Sequence, residues 1–266
     1  MLFAQISDTH IAAPGERPHG VAPVGENLAR AVACLNRLDP RPDFVLLTGD
    51  VTNGGALEQA RHAARLLDDL DMPCHIVPGN HDDRKTLASA FPQQVVGQSP
   101  GGFLNQAFDA GPLRFIGLDS TTPGQPGGAF CEARAAWLKE ALAERPDAPT
   151  VLFLHHPPLK FGVLETDADG FDGAAALARI VAHNRQIVRI LCGHIHLFAH
   201  GALAGVPLTC APAASGMRLA LDLTRRAPSA FHLDDPALLL HKWTDDAGLV
   251  THHLYARGDE PAHPFQ

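Results

Sequence analysis

The sequence predicts one α/β domain that contains two β-sheets with helices on their outer faces. Strand and helix patterns alternate through about residue 91, which indicates right-handed βαβ units and a mostly parallel sheet. A hairpin and a second strand–helix alternation follow, and from residue 200 onward the pattern is that of strands alone. The length of 266 residues and the apolar fraction of 45% suit one large domain with a sizeable core.

Each element is predicted from its apolar spacing and from the residues that end it. Glu26–Leu38 has apolar residues at helical spacing, Pro73 follows the second helix, and Ala110-Gly111-Pro112 predicts a hairpin turn. The predicted helices are 26–38, 57–70, 83–91, 132–144 and 172–184. The predicted strands are 2–7, 43–48, 74–77, 103–109, 113–118, 150–154, 187–192, 206–210, 217–223, 237–243 and 249–255, with a long connection at 224–236.

Charge and cysteine content exclude several classes of protein. The formal net charge of −8 argues against a nucleic-acid polymer as partner, because such partners usually require a basic patch. Five cysteines without a C-x-x-C pair fit neither a disulfide scaffold nor a zinc finger, so we expect free thiols, several of them buried. We expect no signal peptide, and the sequence contains no apolar run of the roughly 20 residues that cross a membrane. We therefore expect a cytoplasmic protein without a membrane partner.

Five short polar clusters each follow directly after an apolar run that reads as a strand. They are Asp8-Thr9-His10, Gly49-Asp50, Gly79-Asn80-His81-Asp82, His155-His156-Pro157-Pro158 and Gly193-His194-Ile195-His196. Ligands of open sheets bind beyond the carboxyl ends of the strands. We therefore expect the five clusters to meet in one site.

The side chains of these clusters are typical metal ligands. Residues two apart in extended backbone point the same way, so the pairs Asp8/His10 and His194/His196 can each reach one site. The candidate ligands are Asp8, His10, Asp50, Asn80, His155 or His156, His194 and His196. Seven nitrogen and oxygen ligands are too many for one four-coordinate ion and suit two ions with a bridging carboxylate. Ligation without thiolate suits Mn, Fe, Zn or Co.

The ordered motifs D-x-H, G-D, G-N-H-D, H-x-P and G-H-x-H resemble the calcineurin-like metallophosphoesterase superfamily. The forms DTH, GNHDD, HHPPL and GHIH are similar to its cyclic-nucleotide phosphodiesterase and glycerophosphodiesterase branch. The resemblance covers residues 2 to about 200. It implies a four-layer α/β/β/α sandwich of two mixed sheets, and an enzyme that uses two divalent metal ions to hydrolyse a small phosphodiester.

The resemblance also implies a role for each candidate residue. Asp8, His10, Asp50 and His196 would hold the first metal, and Asp50, Asn80, His155 and His194 the second, with Asp50 bridging. The His-x-Pro pattern selects His155 rather than His156 as the ligand. A hydroxide between the metals would attack phosphorus in line. Asp50, Asn80 and His81 form the expected catalytic set, in which His81 faces the leaving group and does not bind metal.

Two other functions are compatible with the same motifs. One is a phosphomonoesterase or protein phosphatase, and the other is a non-catalytic binding scaffold. The complete ligand set and His81 favour an enzyme, and the lack of an extended basic cluster beside the motifs weighs against a dianionic substrate.

The motifs also suggest a division of the chain. Residues 1–200 are expected to form the dinuclear catalytic core, and the strands of 201–266 to complete the second sheet. Segment 224–236 is predicted to act as a cap or a subunit contact. A subunit contact would be compatible with a homo-oligomer. Asp119 is either a carboxylate behind the ligands or a turn residue, and Asp82 and Asp83 are expected to begin a helix.

Overall fold

The structure, a computed structural model, describes residues 1–95, 99–224, 228–258 and 263–265. The strands in these ranges are β1 Leu2–Ile6, β2 Val45–Thr48, β3 Cys74–Val77, β4 Gln106–Ala110, β5 Leu113–Leu118, β6 Gly128–Ala129, β7 Thr150–Leu154, β8 Phe171–Asp172, β9 Ile187–Cys192, β10 Ala199–Leu203, β11 Val206–Cys210, β12 Met217–Leu219, β13 Phe231–Leu233, β14 Ala237–Thr244 and β15 Gly248–Tyr255. The helices are α1 Val24–Arg37, α2 Leu57–Leu67, α3 Arg84–Ala90, α4 Glu132–Ala143, α5 Leu164–Asp169 and α6 Ala174–His183, and Pro18–Gly20 forms a 3-10 turn.

Two large mixed sheets form the centre of the molecule. The first has the strand order β15-β14-β1-β2-β3, in which β1, β2 and β3 are parallel and β14 and β15 are antiparallel additions. The second has the order β10-β11-β9-β7-β5-β4, with four parallel strands between antiparallel edges. Two short two-stranded sheets, β12-β13 and β6-β8, lie outside them.

Helices cover the outer face of each sheet. Apolar side chains of α1, α2 and α3 share one buried cluster with β1, β2, β3 and β14, whereas α4 and α6 share another with β5, β7, β9 and β11. The two sheets pack against each other through a third cluster. The layers are therefore helix, sheet, sheet and helix, which confirms the α/β/β/α sandwich.

Phenylalanine rings fill the space between the sheets. Phe3 on β1 stacks on Phe44 at a centroid distance of 5.2 Å and meets Phe115 of β5 edge-on at 5.1 Å. Phe3 and Phe115 are completely buried. Because packed aromatic pairs have defined geometry, these rings set the spacing of the two sheets.

A buried polar chain crosses the same seam. Gln5 on β1 donates from Nε2 to the carbonyl of Cys192 on β9 at 2.9 Å, and its Oε1 lies 3.2 Å from Nε2 of His241 on β14. The other ring nitrogen of His241 lies 2.9 Å from Thr251 Oγ1, and the ring stacks on Phe3. His241, to which the sequence assigns no catalytic role, is therefore a satisfied interior histidine.

The predicted placement of the C-terminal strands is only partly correct. β10 and β11 join the second sheet, but β14 and β15 extend the first. The reason is that β1 is buried along nearly its whole length and needs a partner on each edge, and the apolar run of β14 covers the edge that β2 leaves open. Residue 200 lies within β10, so both sheets contain strands from beyond the predicted end of the core.

The connection at 224–236 contains a strand that the sequence does not predict. β13 pairs with β12, which is shorter than the predicted strand 217–223. Residues 225–227 of this predicted cap lie outside the described ranges.

The bulk expectations can be compared with the same structure. All five cysteines are free thiols: Cys192 and Cys210 are buried, whereas Cys131 is exposed. None of the helices within the described ranges has the length and apolarity needed to cross a membrane.

We predict that His241 makes the fold sensitive to acid. Burial lowers the pKa of His241 to about 3, and the positive charge of Arg189 acts in the same direction. In the unfolded chain a histidine titrates near pH ~6.5. Between these two values the unfolded state binds more protons, so the free energy of unfolding decreases as the pH falls, by up to about 1.4 kcal/mol per pH unit.

Urea unfolding at pH 7, 6 and 5 measures this effect. His241→Leu should be less stable than wild type at pH 7 but should lose less stability on acidification. His183→Leu, at an exposed helix position, should keep the wild-type slope. A His241→Leu slope equal to that of wild type contradicts the prediction.

Candidate metal centre

The ends of five strands deliver the predicted ligands to one place between the two sheets. β1 leads to Asp8 and His10, β2 to Asp50 and β3 to Asn80 from the first sheet. The second sheet contributes His155 after β7, and His194 and His196 after β9. The structure brings all seven side chains together in two adjoining groups.

The first group consists of Asp8, His10, Asp50 and His196. Nε2 of His10 lies 3.0 Å from Nε2 of His196 and 3.6 Å from Oδ2 of Asp50. Nε2 of His196 lies 3.4 Å from Oδ1 of Asp8. One potential ligand atom of each residue lies within 4.8 Å of the others.

The second group surrounds the amide oxygen of Asn80. This oxygen lies 3.1 Å from Nε2 of His155 and 3.1 Å from Nδ1 of His194. Nε2 of His155 also lies 3.3 Å from Oδ2 of Asp50. The same Asp50 oxygen therefore faces both groups, while Oδ1 of Asp50 accepts a hydrogen bond from the backbone N–H of His81.

Bent backbone, rather than extended strand, orients these side chains. Five candidate ligands have positive φ angles, a region that costs most residues energy and that clusters at functional sites. They are Asp8 (54°), His10 (47°), Asp50 (49°), His194 (73°) and His196 (53°). The expectation that residues two apart converge because they share a strand face is therefore wrong, since β1 and β9 end before the paired residues begin.

Two glycines make room for the buried carboxylates. A Cβ atom on Gly79 would overlap the backbone and carboxylate of Asp50, and one on Gly193 would overlap Ser7 and approach Asp8. Each glycine directly precedes a candidate ligand. Alanine at position 79 would displace Asp50, and alanine at position 193 would displace Ser7, the residue next to Asp8.

The charges at the centre favour cation binding. Burial raises the pKa of Asp50, but the combined attraction of His155, His10 and His81 outweighs burial and holds the pKa well below the ordinary aspartate range. Burial lowers the pKa of His10 and of His194 to about 3 in each case, so both rings are neutral and offer a lone pair at neutral pH. Within the described residues, the ion-pair partners of Asp8 and Asp50 are histidines alone.

The donor set fits metal ions. Ligand atoms that surround one ion at bond lengths of ~2.0–2.2 Å are roughly 3–3.5 Å from each other, close to the separations seen in both groups. His155 and His196 have their Nδ1 atoms 2.8 Å from the carbonyl oxygens of Thr48 and Met217. Such contacts fix a ligating imidazole with its Nε2 lone pair towards the metal.

His156 differs from His155 in that both of its ring nitrogens contact groups outside the candidate ligand set. Nδ1 lies 2.8 Å from Ser120 Oγ, and Nε2 lies 3.1 Å from the carbonyl oxygen of Pro126. His156 lies near enough to His155 and His194 to share a cluster with them. Its engaged nitrogens support the choice of His155 as the ligand.

His81 stands at the edge of the centre and is exposed. Its Nδ1 lies 2.9 Å from the carbonyl oxygen of Asn53. Nδ1–H donates to that oxygen, and Nε2 takes no part in this hydrogen bond. Its ring meets that of His10 edge-on at a centroid distance of 4.7 Å. This position suits a group that acts on a bound substrate.

Asp82 supports the site in a way that the sequence does not predict. Its carboxylate accepts hydrogen bonds from the backbone N–H groups of Val51, Thr52 and Gly79 at 2.8–3.0 Å. Burial and the neighbouring charge of Asp50 raise its pKa to about 6. Asp82 thus joins the turn that carries Asn80 to the loop that carries Asp50.

Three other carboxylates have separate roles. Asp83, as predicted, begins a helix, because it caps α3 through the N–H groups of Lys85 and Thr86. Asp119 holds Arg84 and Thr121 and contacts no candidate ligand. Asp169 approaches Nε2 of His194 at 3.9 Å, and no feature of the sequence indicates that contact.

A cavity of about 720 Å³ opens over both ligand groups. His10, Asp50, Asn80, His194 and His196 form its floor, and His81 lies at its side. None of the described residues that line it is a lysine or arginine. The cavity can hold a small substrate against the floor.

A two-sheet sandwich with Asp, Asn and His side chains converging between its sheets defines a metal-dependent hydrolase. The model of the calcineurin-like phosphoesterase family matches residues 1–198, and the chain belongs to this family. This match confirms the family that the five motifs predict.

Individual relatives agree with this assignment. The chain is 32% identical to a probable glycerophosphodiester phosphodiesterase of Arcobacter nitrofigilis, over 100% of its own length and 97% of that protein. It is also 32% identical to the 3′,5′-cyclic adenosine monophosphate phosphodiesterase of Escherichia coli K12, over 72% of the chain and 68% of that protein. A dimetal phosphatase from Danio rerio shares the fold, with a TM-score of 0.63, 16% identity and coverage of 97% and 99%.

We predict that the two adjacent histidines respond differently to substitution. His155→Ala should lower the metal content of the purified protein, because Nε2 of His155 faces both Asp50 and Asn80. His156→Ala should retain metal and lose roughly 10–100-fold in activity, as is typical of residues that orient ligands. Elemental analysis alongside activity measures both effects. Metal loss in His156→Ala with retention in His155→Ala would reverse the assignment.

Proposed function

We propose that this chain hydrolyses small phosphodiesters with two divalent metal ions. The observation that carries the proposal is the pair of adjoining ligand groups, with one oxygen of Asp50 facing both. Relatives that are named as glycerophosphodiester and cyclic-nucleotide phosphodiesterases support the diester as the substrate class.

The first ion would be held by Asp8, His10, Asp50 and His196, and the second by Asp50, Asn80, His155 and His194. The contacts within each group support this division. Imidazole, carboxylate and amide ligands without thiolate suit Mn, Fe, Zn or Co. When bound, two such ions supply Lewis acidity at phosphorus and lower the pKa of water.

The protein side chains then orient the diester and complete proton transfer. The two aspartates contribute −2 to a centre whose ions bring +4, so the site stays attractive to an anionic phosphate. His81, with Nδ1–H bound to Asn53, can donate a proton from Nε2 to the departing alcohol.

We further propose that the protein works in the cytoplasm. The support is chemical: its five cysteines are free thiols, which a reducing compartment maintains. We also propose that segment 224–236 acts as a cap or as a subunit contact in a homo-oligomer.

We predict that Asp50 is needed for both ions. Asp50→Ala should lose both metals and nearly all turnover, whereas Asp8→Ala should mainly empty the first site. Asp147→Ala, at an exposed carboxylate, should retain both metals. Metal-to-protein ratios of purified variants test this. Retention of two ions by Asp50→Ala would remove the bridging assignment.

We predict that His81 acts on the leaving group rather than on the metals. His81→Ala should retain both ions. It should lose ~10²–10⁴-fold in kcat/KM on a dialkyl diester, because an alkoxide needs a proton to depart. On a nitrophenyl diester the loss should be much smaller, because nitrophenolate is stable without one.

The control for His81→Ala is His183→Ala, which should match wild type on both substrates. Equal losses of kcat/KM on both diesters would leave His81 as a phosphate-positioning group. Loss of a metal would make it a ligand.

A further inference from the structure

Two aromatic side chains lie together at the mouth of the cavity and have no part in the metal centre. His19 is exposed and Phe231 is half-buried, and their ring centroids are 5.1 Å apart with an interplanar angle of 50°. Both line the cavity whose floor carries the candidate ligands. Exposed aromatic faces beside a metal centre are available to a bound substrate.

Each ring is carried by backbone of defined conformation. His19 has a φ of 54° in the 3-10 turn Pro18–Gly20, a strained conformation of the kind that occurs at ligand-binding sites. Phe231 begins β13 and pairs with Leu219 of β12. The first residue of β12, Met217, presents its carbonyl to Nδ1 of His196, so this hairpin is tied to the metal centre itself.

Apolar side chains lie beside the two rings. Met217, Leu219 and Ala230 line the same wall, and the lining residues described include neither lysine nor arginine. The carboxylate of Asp169, at the other side, is directed towards His194. The described residues of this wall therefore offer apolar contact to a bound group.

We infer that Phe231 and His19 form a specificity wall that binds a planar, uncharged ring in the alcohol part of the phosphodiester. Aromatic rings attract one another in offset-stacked or edge-on geometry, beyond the burial of apolar area. The inference rests on the proposed function, because the phosphate must sit on the metal-binding floor for the alcohol to reach the mouth. The specificity wall would favour diesters whose alcohol carries a planar ring over diesters of small flexible alcohols.

Three diesters of glycerol phosphate test the wall, with ethyl, 2-cyclohexylethyl and 2-phenylethyl as the second alcohol. The cyclohexyl and phenyl esters have similar size and apolarity, and only the phenyl ring is planar. Wild type should show a kcat/KM about 3- to 10-fold higher for phenylethyl than for cyclohexylethyl, the factor expected of one aromatic contact. Phe231→Leu should abolish that preference.

Leu233→Ala is the matched control, because Leu233 is an exposed apolar residue of the same strand that does not line the cavity. It should keep the phenyl preference. His19→Ala should reduce the preference without abolishing it, and circular dichroism should show all variants folded.

Binding provides a readout that is independent of turnover. Calorimetry with the metal-loaded protein should give tighter binding of 2-phenylethyl phosphate than of 2-cyclohexylethyl phosphate, and Phe231→Leu should equalise them. Equal binding of both by wild type, or an unchanged preference in Phe231→Leu, overturns the specificity wall. Hydrolysis of the ethyl ester tests the phosphodiesterase function separately, so the two proposals fail in different measurements.

Discussion

The carboxylates of Asp8 and Asp50 are buried, and the rest of the structure must compensate their negative charges. A buried charge is costly unless it is compensated, and each of these two aspartates comes from the first sheet. Their described ion-pair partners include His196 and His155, which follow strands of the second sheet. The two sheets must therefore face each other with their ligand-bearing ends aligned. The imidazoles balance the two negative charges only in part, and divalent ions at the centre would supply further positive charge.

The local backbone around the centre is strained. Five candidate ligands adopt positive φ angles, and Gly79 and Gly193 leave no space for a side chain beside the carboxylates. Such strain persists where surrounding contacts over-determine it. Here those contacts are the backbone hydrogen bonds to Asp82, together with the carbonyls that hold His155 and His196. Contacts within the folded chain thus help to position the ligands.

Most of the fold follows from local pattern, and the exceptions have physical causes. β3 and β7 have the predicted bounds, because each is a short apolar run between clear breakers. The sequence does not indicate β13, and it misplaces β14, because strand pairing depends on which edge is left open and not on the strand itself. Order and residue type predict the seven candidate ligands. They do not predict the contacts of Asp82 and Asp169, because those contacts depend on loops that meet only in three dimensions.

The rings of Phe3, Phe44 and Phe115 lie in the seam between the sheets, whereas the ligands project from the strand ends of both sheets. Ligand-to-ligand separation therefore depends on how far apart these rings hold the two halves. A core substitution that widens or narrows this seam would shift the ligands of one sheet relative to those of the other, although no ligand is altered.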